Sequence, residues 1–246
     1  MNKPTSEMFL SKSFQPLYKQ VYDVLTKRLV DGYWKPSEVL PSEMALADEL
    51  GVSQGTVRKA LNQMVSEQLL ERRQGKGTYV AEHTSESSLT RFFRLREPKG
   101  QSLFPETVVL GCERRQPLPY EVSIFNLDGS TEVVEWTRLR DIGGEPVVYE
   151  KVVQPLSIFP NIDKEPNLPN ALYILYQEKY GISIISVQDE LRAIGAASDV
   201  AKALDMKAGE PVMMIERQSK SLDGRVVEFS QAYCRTDKFI YSVELK

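Results

Sequence analysis

The chain has 246 residues, 26% of them charged and 41% in the AVILMFWYC set, close to the globular average, so a sizeable core can be buried. Its 31 Lys and Arg against 34 Asp and Glu leave a net charge of −3, which taken alone argues against nucleic acid as a partner. The longest apolar run, 171–176, falls far short of the roughly 18 residues that a membrane helix needs, and 1–15 contains no apolar signal-peptide core. Cys112 and Cys234 are too few for a disulfide framework or a metal cluster and are expected as reduced, buried thiols of a cytoplasmic protein. The single histidine, His83, lies in a polar stretch at 82–88 that reads as an exposed linker. A histidine base or a His-rich metal site is therefore disfavoured as the basis of a mechanism, acid/base work by Asp, Glu or Lys stays open, and no cofactor or metal is expected.

Dividing the chain at that linker changes the charge argument. Residues 1–83 carry net +1 and 84–246 net −4, and within the first part 53–80 holds Arg58, Lys59, Arg72, Arg73 and Lys76 against Glu67 and Glu71, net +3. In chain order, Leu17, Val21, Val24, Leu25 and Leu29 mark one face of an amphipathic helix that stops at Asp31-Gly32. Ser42 is a good N-cap and Glu43 a favourable first-turn charge for a short second helix burying Leu46, Ala47 and Leu50 and ending at Gly51. Ser53 can cap a third helix that buries Val57, Ala60, Leu61, Met64 and Val65. The short connection between these two helices predicts a helix-turn-helix, and 69–80 predicts two short strands around a Gly-rich turn, a wing.

Each exposed residue there has a task on a duplex. The start of the third helix offers Ser53, Gln54, Thr56 and Arg58 to a major groove, where Gln pairs with adenine, Arg with guanine, and the Thr methyl meets thymine. Gly55 permits close approach to the backbone. In the wing, Arg72, Arg73 and Lys76 can neutralise phosphates while Gly75 and Gly77 let the turn lie close to the duplex. The bland alternative is a three-helix protein-binding module with a solvated basic hairpin.

The motifs Gln15-Pro16-Leu17-Tyr18, Leu40-Pro41-Ser42-Glu43, Gly51-Val52-Ser53, Thr56-Val57-Arg58-Lys59-Ala60-Leu61 and 73–80 resemble, in order, the winged-helix head of GntR-type bacterial regulators. Met44 and Gln54 stand where that family often has arginine, so no operator preference is carried over. Residues and resemblance together assign a double-stranded DNA operator to Ser42, Glu43, Ser53, Gln54, Gly55, Thr56, Arg58, Lys59, Arg72, Arg73, Gly75, Lys76 and Gly77 within a domain at 15–81.

The remaining chain predicts strands near 106–114, 131–141, 146–154, 183–195, 211–222, 225–235 and 239–245, with hairpin turns at Gly143-Gly144 and 222–225. A helix is expected over 170–180, ended by Gly181, and another capped by Ser198. The fold class is therefore α+β: a winged helix-turn-helix followed by a mixed α/β domain with an antiparallel sheet. Period-two alternation places Arg138 and Arg140 on the face of Val134 and Trp136, pairs Glu190 with Arg192, and pairs Glu228 with Ser230. Adjacent arginines need carboxylates or a bound anion, and the register that would decide whether Glu150 lies beside Arg138 or behind it stays open.

Trp136-Thr137-Arg138-Leu139-Arg140, Pro146, Glu150, Ala171-Leu172-Tyr173, 190–193, Glu228-Phe229-Ser230 and 233–237 resemble the ligand-sensing UTRA domain of the HutC subfamily. That resemblance implies a fold similar to chorismate lyase, a homodimer, and a small-molecule effector site at Arg138, Arg140, Glu150, Tyr173 and Glu228 within a domain at 89–246. Ala171 stands where a serine is usual, and 91–105 departs from the family's early helix. The expected function is a ligand-responsive transcription regulator, a repressor by the family's habit, whose effector is a small anionic metabolite. The alternatives are a chorismate-lyase-like enzyme fused to a DNA-binding head, for which no nucleophile–base pair is visible, and a structural nucleoid protein, which would not need charged strands.

Overall fold

The computed structural model describes residues 15–82, 92–98, 105–166 and 168–243. Residues 83–88 of the expected linker, His83 included, and the N-terminal stretch 1–14 lie outside them, as do 91 and 99–104 of the segment at 91–105. The chain divides into two units, residues 1–82 and 83–246.

In the first unit, α1 (Leu17–Val30), α2 (Glu43–Leu50) and α3 (Gln54–Ser66) precede the antiparallel pair β1 (Leu70–Arg73) and β2 (Gly77–Val80). The expected caps form: Ser42 Oγ accepts from Ala45 N at 3.1 Å and Ser53 Oγ from Thr56 N at 3.2 Å, each meeting an orphan amide of a first turn. Leu46, Ala47 and Leu50 of α2 and Val57, Ala60, Leu61 and Met64 of α3 are buried with Val21 and Leu25 of α1. Leu17, expected on that apolar face, is exposed. Residues 38–40 join β2 through Leu40 N to Thr78 O and Val80 N to Glu38 O, widening the wing.

In the second unit, six strands form one antiparallel sheet in the order β4 (Glu106–Arg115), β5 (Val133–Ile142), β6 (Glu145–Pro155), β9 (Val226–Arg235), β8 (Pro211–Ser221) and β7 (Ile184–Gly195). A two-residue strand β3 (Leu95–Arg96) pairs with β10 (Ile240–Tyr241). On one face, α5 (Leu172–Tyr180) packs Leu172, Tyr173 and Tyr176 against Val134, Trp136, Val152 and Phe159. The opposite face is covered at two places. There α4 (Pro119–Phe125) brings Phe125 onto Val133, Val153 and Phe229, and α6 (Ser198–Ala203) brings Val200 and Ala201 near Leu139, Tyr149 and Tyr233. The α+β class expected from the sequence is the class observed.

Several local expectations change. Ser198 is the first residue of α6 and makes no cap; Ala197 precedes it in extended conformation. The 222–225 turn closes as a three-residue loop: Ser221 N bonds Arg225 O, Gly224 N bonds Ser221 O, and a register shift follows at Ser219/Lys220. Of the strand expected over 239–245, the described residues show Ile240–Tyr241, paired with the short β3; 244 and 245 lie outside them. Cys234 is buried as expected but Cys112, on the edge strand β4, is exposed. The short helix α4 was not foreseen. Pro119 opens it and Glu121 Oε2 accepts from Leu118 N at 2.7 Å, a start signal hidden among prolines.

Candidate functional site

The first unit presents the residues assigned to a duplex on α2, α3 and the wing, and gives many of them partners within the chain. Ser53 Oγ and Thr56 Oγ1 share a hydrogen bond of 2.8 Å, so both hydroxyls serve the cap of α3, as Ser42 serves that of α2. Arg58 Nε donates to Glu43 Oε2 at 2.8 Å, Gln54 Nε2 to the same oxygen at 3.3 Å, and Arg72 Nη2 to Glu43 Oε1 at 3.0 Å. Lys59 Nζ sits 4.0 Å from the Tyr18 ring centroid. The Arg73 guanidinium lies 4.3 Å from the Tyr79 ring centroid and 3.3 Å from Glu71. These contacts are solvent-facing: Arg58 keeps 55% of its side-chain surface exposed, and such pairs are cheap to rearrange.

The glycines divide by their reasons. Gly77 has φ +124°, a backbone conformation that favours glycine, and a Cβ there would lie 3.3 Å from Val39 Cγ2, close enough that the valine would have to shift. A Cβ on Gly55 would meet only Ser53 Oγ at 3.8 Å, an ordinary contact, so neither packing nor backbone conformation demands glycine at that helical position.

In the second unit the register settles which side chains share the face under α5. Arg138 is directly opposite Glu150, which is opposite Ala232; Trp136, Val152, Ser230, Arg217 and Asp189 follow one another across β5, β6, β9, β8 and β7. On that face a cleft enclosing about 490 Å³, its open mouth included, is lined by Arg138, Arg140, Glu150, Tyr173, Arg217, Glu228 and Ser230, with Phe92 and Phe93 forming one wall. All five residues assigned to an effector are therefore brought together there, and the mixture of charged, hydroxyl and aromatic groups suits a small polar molecule.

The charges in the cleft are organised by burial. Arg138 is 1% exposed; its Nε lies 3.2 Å from Glu150 Oε1, its Nη2 donates to Asn170 O at 2.9 Å, and its Nη1 makes no hydrogen bond among the described residues. Burial pulls the Arg138 guanidinium below its usual pKa, against the attraction of Glu150. Glu150 also accepts from Arg140 Nε at 3.1 Å. Burial alone would raise its carboxyl, but Arg140 and Arg138 outweigh that and hold it below the usual range. Glu228 is pushed up, chiefly by burial, although Tyr176 and Ser219 hydroxyls donate to it. Tyr173 OH and Ser219 Oγ share a 2.8 Å bond, and Trp136 Nε1 donates to Gln154 Oε1 at 3.0 Å, extending this buried polar network.

Sequence reasoning missed Arg217 and Asp189. Arg217 forms a two-pronged pair with Asp189, 2.7 Å at each prong, and donates from Nη1 to Phe92 O at 2.9 Å. Burial would lower its pKa, but Asp189 more than reverses that. The signal was the alternation of Arg217 with Ile215 and Ser219 along β8. Glu190 and Arg192, which the sequence singled out instead, are exposed; Asp189, one residue earlier, has the opposite orientation and bonds Arg217.

The comparisons with known proteins agree with this two-part layout. The model for bacterial regulatory proteins of the gntR family matches residues 17–80, and the UTRA domain model matches 100–240. The HTH-type transcriptional regulator SmoD of Agrobacterium fabrum is 31% identical over 87% of this chain and 90% of its own. The mannosyl-D-glycerate transport/metabolism system repressor MngR of Escherichia coli is 28% identical over 93% and 95%. Among solved structures, PhnF from Mycobacterium smegmatis superposes with a TM-score of 0.56 at 19% identity, covering 92% of this chain and 99% of PhnF, a likeness of fold. These relatives are regulators, which removes the enzyme reading, and among the described residues no helix is long and apolar enough to cross a membrane. The chain belongs to the gntR family of bacterial regulatory proteins and is a DNA-binding transcriptional regulator with a UTRA domain.

Proposed function

We propose that this regulator is a cytoplasmic, homodimeric repressor of the HutC type whose operator binding is set by a small anionic carbohydrate derivative. The domain division is 15–81 for the reader, 82–88 for the linker and 89–246 for the sensor and dimerisation domain. The reader docks α3 in the major groove through Gln54, Thr56 and Arg58, with Gly55 letting the helix approach. Ser42, Glu43 and Ser53 frame that surface. Lys59, Arg72, Arg73 and Lys76 meet phosphates, and Gly75 and Gly77 shape the wing that carries them. Two such heads in a dimer would read a two-fold operator.

The observation that carries the effector reading is the state of Arg138: a buried guanidinium with an unbonded Nη1 beside Arg140, at the floor of a cleft. An anionic oxygen placed there satisfies Arg138 and Arg140, while Glu150, Tyr173 and Glu228 suit the hydroxyls of a sugar body. MngR is named for a mannoside that bears a carboxylate, the same combination of groups. The ligand acts by preferring one of two states that differ in operator affinity.

Thermal-shift screening of glycosyl carboxylates and sugar phosphates tests this, since a ligand of the folded state raises the melting temperature. Arg140→Glu, at the cleft mouth, should abolish the shift; a shift that survives it would remove the cleft assignment. Light scattering in solution should give twice the chain mass.

A further inference from the structure

Three side chains assigned to DNA from two different elements converge on one carboxylate. Glu43, the first residue of α2, holds Arg58 and Gln54 of α3 on its Oε2 and Arg72 of β1 on its Oε1. Its own side chain is only 20% exposed, whereas Arg58 and Arg72 extend outward at 55% and 43%. The acid therefore lies behind the reading surface, with the cations in front of it.

We propose that Glu43 is a positioning residue that sets sequence specificity by fixing the edges Gln54 and Arg58 present to the bases, and that it is not itself a base contact. This rests on the DNA-reading surface proposed above. With Arg58 Nε turned back onto Glu43, the two Nη groups at the tip make no hydrogen bond among the described residues, and they are the donors that match guanine O6 and N7. The Gln54 amide is oriented in the same way. A carboxylate oxygen accepts, so the Gln54 NH2 faces Glu43 and its carbonyl faces out. One Nε2 hydrogen and Oε1 are left for the N7 and N6 of adenine. Without Glu43 the amide can turn over and present the reverse pattern. The Arg72 contact adds a fixed distance between α3 and the wing, so base reading and phosphate contact share one reference point. An acid at this place also weakens attraction to any phosphate backbone, whatever the sequence, and so raises the ratio of specific to non-specific binding.

The experiment is selection from a random-sequence DNA duplex pool by the full-length chain and by Glu43→Gln, Gln54→Ala and Arg58→Ala, followed by affinities for the wild-type consensus and a scrambled duplex. Ion pairs with solvent-facing arginines and a single first-turn charge each contribute little to stability, so the melting temperature of Glu43→Gln should stay near that of the wild type and certifies the fold. Glu43→Gln should relax the same positions that Gln54→Ala and Arg58→Ala relax. Discrimination of consensus over scrambled DNA should fall by about tenfold or more, with affinity for scrambled DNA unchanged or higher. Relaxation confined to a position that neither Gln54 nor Arg58 reads would make Glu43 a base contact and overturn the proposal. A wild-type consensus left intact by Glu43→Gln would overturn it alone. A wild-type chain that enriches no sequence would remove the DNA-reading surface and this inference together.

Discussion

The two units use the same chemical pair, arginine with glutamate, in opposite physical settings. In the reader, Arg58 and Glu43 are 55% and 20% exposed; in the sensor, Arg138 and Glu150 are 1% and 8% exposed. The exposed pair gains little in water and breaks at little cost, so a polyanion can recruit the arginine. The buried pair has lost most of its hydration, so each charge depends on its partner and their geometry is set before any ligand arrives. A surface that must meet a long duplex can carry adjustable charges. A cleft that must distinguish one small anion requires charges that do not move.

The strongest way to break this contrast is to disrupt one arginine–glutamate pair in each unit. Glu150→Gln leaves Arg138 and Arg140 without their shared acid and should destabilise the sensor by about 3–5 kcal/mol in urea unfolding. A loss below about 1 kcal/mol, the range of exposed pairs, would erase the distinction. In the reader the effect should move from stability to binding. Arg58→Glu should reduce operator affinity by about a hundredfold, since a base contact worth about 1–3 kcal/mol is replaced by repulsion from phosphates. Its melting temperature should stay near that of the wild type, and retained affinity in a gel shift at physiological salt would discard α3 as the reading helix.

The pH dependence sharpens the sensor side. Glu150 is held below the ordinary 4.5, so its contribution to stability is present above 4.5 and is lost as pH falls through its lower folded value. Glu228 is raised above 4.5, so it favours the fold below 4.5, and that contribution is lost as pH rises through its higher folded value. Denaturation curves across this range should show stability in Glu228→Gln without the decline that begins above 4.5, while the acid-side loss persists. Equal slopes in variant and wild type would mean that Glu228 is not desolvated as the cleft geometry implies. The smallest expected effect belongs to the wing: Lys76→Gln should lower the slope of log affinity against log salt by about 0.9, one phosphate contact, and an unchanged slope would take Lys76 off the duplex.

Much of the reader was legible because its signals are local. Ser42, Ser53 and Gly51 act on neighbours within one or two turns, and the i, i+3, i+4 spacing of Val57, Ala60, Leu61 and Met64 needs no distant partner to declare a buried face. The sensor's strands were also visible by alternation, yet the cleft was only half legible. Arg138 and Arg140 stood out because they are adjacent on one face. Arg217 lies between the uncharged Ile215 and Ser219 on its face and gives no such emphasis, and its partner Asp189 stands next to the exposed Glu190 that alternation pairs with Arg192.

By itself, the sequence determined the two-part division, the capped helices, the wing, the α+β class and the paired arginines, all of which follow from contacts close along the chain or from strict periodicity. Only the tertiary structure decided what pairs with what. Strand register put Glu150 opposite Arg138, and the β6–β9 junction brought Glu228 and Ser230 to the same floor. Packing of α2 against α3 and the wing drew Arg58, Gln54 and Arg72 onto Glu43. The physical reason is that a one-residue slip of register reverses every side chain on a strand, and a carboxylate accepts from any donor within about 3 Å however far away in sequence that donor lies.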